Sequence, residues 1–144
     1  MQGESPAAYE SQKNGGIEVG IKIVRGLFRT LKLCLEQRLG KYISTYLALM
    51  PWMLQHTCML LNAKARGPDG LTSWERIKGR RVKQHVLGFA ETILHKLPNK
   101  GPRANPDGNM GTRWLERVFF VFGRSANAYG IGNDDGIVNA RTIY

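Results

Sequence analysis

Two interleaved stripes run through the segment from Asn14 to Leu39, and no other stretch restricts the fold as much. Ile17, Ile21, Val24, Phe28, Leu31 and Leu35 step by four and three, with Leu27 and Cys34 beside them. That spacing stacks side chains on one face of an α-helix, a face that needs burying. Glu18, Lys22, Arg25, Arg29 and Lys32 follow the same steps one residue on. They form a second stripe, cationic along its length with one carboxylate at its N-terminal end. Such a surface suits a polyanion laid along the helix, with a metal-binding carboxylate at one end. A solvated face, with a first-turn Glu opposing the helix dipole, accounts for the same pattern without any function.

The neighbouring residues set this helix in a chain of short elements. Asn14 is the expected N-cap, Gly15 and Gly16 a flexible lead-in, and Gly40 the stop. Residues 1–13 are polar and aperiodic, and are expected to be a loop or disordered terminus. Lys41 to Asn62 holds a second helix, with Pro51 at its first position and an almost wholly apolar run from Trp52 to Leu61. Gly67-Pro68-Asp69-Gly70 predicts a turn. Thr72-Ser73-Trp74-Glu75 reads as a capping box that opens a short helix, Ser73 to Lys78. A basic loop, Lys78 to Lys83, follows. From Val86 the period shortens, and Phe89 to Leu97 reads as a strand. Pro98 to Gly111 is a long loop, and Arg113 to Phe122 a β-prone run. Gly123 to Asn127 turns, Ala128 to Gly132 is a short strand, Asn133 to Gly136 turns again, and Ile137 to Ile143 is the last strand.

This order makes the fold class α+β. Two or three helices over 14–83 precede a small β domain over 84–144, whose short strands suit an SH3-like antiparallel barrel or curled sheet. The formal charge of +10 and the pI near 10.0 favour a polyanionic partner, nucleic acid before an acidic membrane surface. Cys34 and Cys58 sit among apolar residues and read as small buried hydrophobes. His56, His85 and His95 are scattered, without the paired spacing of a zinc site. The first residues lack the pattern of a secretion signal, and no apolar run is long enough to span a membrane. A nuclear or cytoplasmic location is expected.

Several motifs then point to one family. Gln12-Lys13-Asn14-Gly15-Gly16-Ile17-Glu18 resembles the Q-S-N-G-x-x-E segment of retroviral and retrotransposon integrases. Asp69 to Arg80 resembles their D-G-x-T-x-[YW]-E-R-x-K-G-[KR] segment, and Gly88 to Leu94 their x-F-G-E-x-[VIL]-L strand. Arg113 to Phe119 is similar to R-W-x-x-G-V-F, and Asp135 to Ile143 to [DE]-G-[VI]-V-x-A-R-[ST]-[VI]. The matches come in the family's order from about Ser11 to Tyr144. Lys13 stands where the family usually has Ser, and Ala90 and Arg117 stand where it has Gly.

The resemblance implies DNA 3′-end processing and strand transfer on an RNase H-like core, with Mg²⁺ or Mn²⁺ as cofactor. It makes Glu18 the third catalytic acid and a metal ligand. Lys22, Arg25, Arg29, Lys32, Arg80, Arg81 and Lys83 become DNA phosphate contacts. The other two acids should lie upstream, yet no Asp precedes Glu18. The expectation is therefore a fragment: the helical end of the catalytic core plus the small β domain, binding nucleic acid but not assembling the metal site alone. Its expected partners are DNA, the missing upstream part of the core, and a second copy of itself; a membrane is not among them. The competing readings are a non-catalytic basic nucleic-acid-binding module and a non-functional relic of a mobile element.

Overall fold

The computed structural model describes residues 11–83, 85–123, 128–133 and 136–144. Three helices come first: α1 (Ser11–Leu39), α2 (Met50–Lys64) and α3 (Ser73–Lys78). Four strands follow: β1 (Thr92–Lys96), β2 (Trp114–Phe122), β3 (Tyr129–Asn133) and β4 (Gly136–Ala140). The class is α+β, with an antiparallel sheet in the order β1-β2-β3-β4.

Helix α1 corrects the expected start. Ser11, Gln12 and Lys13 are already helical, so Asn14 is not the N-cap and the two glycines are not a flexible lead-in. Gln and Lys are good helix formers, and each Gly costs only about 1 kcal/mol against Ala, too little to stop a long amphipathic helix. The rest of the expected terminal loop, residues 1–10, lies outside the described residues. The C-terminal stop is as expected. Gly40 takes φ 66°, and the Lys41 amide reaches back to the Glu36 carbonyl at 3.3 Å, the bonding of a Schellman turn.

Among the described residues, the C-terminal half of α1 is the part anchored in a core. The helix has 29 residues, about 44 Å at 1.5 Å per residue. Leu35 is buried with Ile43, Met50, Met53 and Phe89, and Phe28 and Leu31 pack against that cluster. Towards the N-terminus the same stripe runs into the open, with Ile17 64% and Ile21 49% exposed. Ile17, Ile21, Val24 and Phe28 there form one wall of an apolar groove of about 910 Å³, with Leu47 and Leu54 across it.

Helix α2 carries Pro51 in its first turn, where the missing N–H breaks no helical bond. Met53, His56 and Thr57 are fully buried, and the Thr57 hydroxyl donates back to the Met53 carbonyl at 2.8 Å. α3 opens with the expected capping box. The Glu75 amide donates to Thr72 Oγ1 at 3.1 Å, and the Thr72 amide donates to Glu75 Oε2 at 2.8 Å.

Two sequence runs that read as single strands are divided. Phe89 belongs to the helix cluster, and Ala90 takes φ 55°, so the extended chain starts only at Thr92. The last run divides at Arg141. Gly136–Ala140 pairs with β3, whereas Thr142 to Tyr144 turn to β1. Leu94 and Tyr144 exchange both amide–carbonyl bonds, at 2.9 and 2.7 Å, and the Lys96 amide donates to the Thr142 carbonyl at 3.2 Å. The chain leaving the last strand is thus bonded to the first, and Ile93, Phe119, Ile131 and Ala140 form a buried cluster on the sheet. The third strand starts at Tyr129, not Ala128, and a short 3₁₀ turn, Gly108–Met110, interrupts the long loop. Of the two expected turns, residues 124–127 and 134–135 lie outside the described residues.

Helices and sheet are joined closely. Arg38 of α1 donates to the carbonyls of Phe89 at 2.7 Å and Ala90 at 3.0 Å. Phe120 of β2 packs on the helix cluster. Its ring lies over Gly132, where an added Cβ would collide with Phe120 Cε2. Among the described residues no helix is long and apolar enough to cross a membrane.

Candidate nucleic-acid interface

Glu18, Lys22, Arg25 and Arg29 are all exposed, and their spacing sets them along one edge of α1. None is ion-paired to another described residue. Neighbours at this spacing are closer than a Debye length at physiological salt, so the three cations reinforce one another's field and remain available to a polyanion. The apolar groove flanks this edge, since Ile17, Ile21, Val24 and Phe28 each precede a stripe residue.

Lys32, the last cation of the stripe, is differently placed. Its Nζ lies 2.5 Å from Glu36 Oε1 and 4.5 Å from the centre of the Tyr42 ring. Glu36 also accepts from the Ile43 amide at 2.9 Å. The Lys32 hydrogen bond, then the Ile43 amide, hold the Glu36 carboxyl below its ordinary range. Lys32 therefore braces the turn after α1, and the stripe that faces solvent, unpaired among the described residues, ends at Arg29.

The loop cations divide in the same way. Arg80 and Lys83 are exposed, while Arg81 Nε donates to Glu75 Oε1 at 3.0 Å. These residues follow α3, which packs on α2. They are a separate basic segment, not a continuation of the α1 stripe.

The segment from Asp69 to Gly79 is an interlocked turn. Arg76 grips Asp69 through Nε at 2.9 Å and Nη2 at 2.5 Å, and Asp69 also accepts from the Leu71 amide at 3.1 Å. The Arg76 guanidinium, with the Leu71 amide, pulls the Asp69 carboxyl down to about 2. Gly70 and Gly79 supply φ 75° and 65°, and the capping box lies between them. Asp69 is thus a turn former, as its sequence context suggests.

The donor set does not fit a pair of divalent metals. Magnesium takes several oxygen ligands, and two-metal transfer needs carboxylates that converge. Among the described residues no group of three or more His, Cys, Asp or Glu stands close enough to hold an ion. Glu18 is a single exposed carboxylate.

Two further features gave no signal in the sequence. His56 is fully buried in the joint between helices and sheet, where an apolar helical run reads as plain core. A basic hollow at the end of the sheet gathers residues from four separate segments, which no local pattern links. Comparison with models of known families, with curated proteins and with solved structures finds no match to this chain.

Proposed function

We propose that the chain is the C-terminal part of a retrotransposon-type integrase that lays duplex DNA along α1 and is catalytically incomplete alone. The reading places the end of an RNase H-like core at 14–83 and a small SH3-like β domain at 84–144. The observation that carries it is the exposed edge of Glu18, Lys22, Arg25 and Arg29 on one helix, unpaired among the described residues.

Three features support the reading. The groove beside that edge leaves Ile17 and Ile21 half-exposed or more, an apolar stripe of the kind that the rest of a core would cover. Ala90 takes φ 55°, a conformation suited to glycine, where the integrase-like strand carries Gly. The bonding of Thr142 and Tyr144 back to β1 is the kind of contact that an SH3-like barrel would make between its last and first strands.

In this reading Glu18 is one acid of three, and an upstream polypeptide bearing the other two would cover the groove. Mg²⁺ or Mn²⁺ held between the three would supply the Lewis acid of phosphoryl transfer. What this chain itself provides is a row of cations that positions the phosphate backbone, without reading bases.

A titration with duplex DNA at several salt concentrations tests the proposal. The expected result is saturable binding, with log K falling linearly against log salt. Absence of a defined salt slope leaves the relic reading standing. A strand-transfer assay with Mg²⁺ or Mn²⁺ separates the remaining two: activity of the chain alone contradicts the incomplete-site reading. Activity gained only with an upstream core segment favours the integrase over a non-catalytic binding module.

A further inference from the structure

The buried face of the sheet is apolar over most of its length and becomes cationic beside Arg117. Phe119 and Ile131 are fully buried there, and Ile93 and Ala140 nearly so. Side chains alternate along a strand, so Arg117 shares the face of Phe119, two residues on. Its register partner on β1 is Ile93, which sets it next in line after the buried residues. Arg117 is half-buried, and its Nη1 donates to the Glu116 carbonyl at 3.0 Å. His95 lies on the same face of β1, with Nδ1 buried and without a partner. Burial, then the charge of Arg117, hold the His95 pKa below its ordinary value.

Around these two residues lies a cleft of about 610 Å³ that also takes in Lys96, Asn99, Arg103 and Arg141. Four of the lining residues are cations, and none of the described ones is a carboxylate. No described carboxylate is ion-paired to any of the four. Like charges around one hollow repel. A half-buried guanidinium beside an unpartnered imidazole nitrogen is costly unless an acceptor faces them. A phosphate group supplies both the oxygens and the negative charge, and guanidinium matches its geometry.

We propose that this cleft is a phosphate-binding site, with Arg117 as its central donor and Arg103 and Arg141 around it; the Lys96 ammonium instead lies over the Trp114 ring, 6.0 Å from its centre. Its ligand is a nucleotide phosphate, carried either by a free nucleoside monophosphate or by the 5′-phosphorylated end of a strand. The site stands independently of the integrase reading. It lies on the sheet, away from the α1 stripe, and Arg117 occupies a position that the integrase-like strand fills with Gly.

Calorimetric titration of the full chain tests it, using inorganic phosphate, a nucleoside monophosphate, and one oligonucleotide with and without a 5′-phosphate. The expected result is saturable binding of the monophosphate, the phosphorylated end or both, displaced by inorganic phosphate. The arm that binds identifies the source. Arg117→Gln weakens that binding at least about tenfold, as loss of a charge-assisted hydrogen bond does. It leaves the unphosphorylated strand unchanged, and Arg141→Gln, an exposed change, weakens the same arm. Replacing Lys22, Arg25 and Arg29 together does not affect it, which separates failure of the α1 reading from failure of this one. The proposal is overturned if no phosphate species saturates, if both variants titrate like the parent, or if Arg117→Gln weakens both strands equally.

Discussion

Lowering the pH should loosen the joint between helices and sheet through one residue, His56. Its ring is fully buried between Phe89, 5.6 Å away in the helix cluster, and Phe119, 5.7 Å away in the sheet core. Neither ring nitrogen forms a hydrogen bond of normal geometry. Burial pushes the pKa down from 6.5 to about 4, opposed in part by the nearby Phe120 backbone. The folded chain therefore holds its proton less tightly than the unfolded chain. The stability linked to His56 is complete above the unfolded pKa and is lost as pH falls from about 6.5 towards 4. Two and a half pKa units set a ceiling of about 3 kcal/mol, of which about 2 kcal/mol should disappear between about pH 7.5 and pH 5. His95, also lowered, acts in the same direction, so a variant is needed to isolate the effect. Urea unfolding of the parent and of His56→Leu across that interval measures it. The leucine variant, similar in volume and without orphaned nitrogens, should be at least as stable at neutral pH and lose most of the pH dependence. If it retains the parent's slope, His56 is not the titrating group and its burial is wrongly described.

Two other substitutions test single features of the fold. Ala90→Gly should raise stability by about 1 kcal/mol, because φ 55° costs a residue with a Cβ about that much; a thermal melt reads the gain, and a loss would mean that the Ala90 methyl packs better than the backbone is strained. Thr72→Ala removes the hydroxyl of the capping box and should cost about 1 kcal/mol by chemical denaturation, with Thr72→Ser recovering most of it.

What could be read ahead of the structure follows from how local each signal is. The box at Thr72 and Glu75, the stop at Gly40 and the proline in the first turn of α2 satisfy backbone groups within a few residues, so their patterns sufficed. The stripe of Glu18, Lys22, Arg25 and Arg29 was legible for the same reason, since helical period alone sets it on one edge. Lys32 belongs to that period, but its ammonium is held by Glu36 and Tyr42, and the latter follows the helix end. The divided strands were not legible. The backbone turn at Ala90 and the change of pairing partner at Arg141 depend on where other strands lie, and the apolar pattern runs straight through both. The cleft at Arg117 is further still from any local signal, because β1 with the loop after it, β2, β3, and β4 with the residues after it meet there only through pairing.

The account rests on the open edge of α1 as a surface for duplex DNA, and the salt dependence of binding tests that edge most directly. Each phosphate contact contributes about 0.9 to the slope of log K against log salt. Replacing Lys22, Arg25 and Arg29 together by Gln should therefore lower the slope by nearly 3 while the fold melts unchanged, since all three side chains are exposed and unpaired among the described residues. A triple variant that binds duplex DNA with the parent's affinity and the parent's slope would contradict the account.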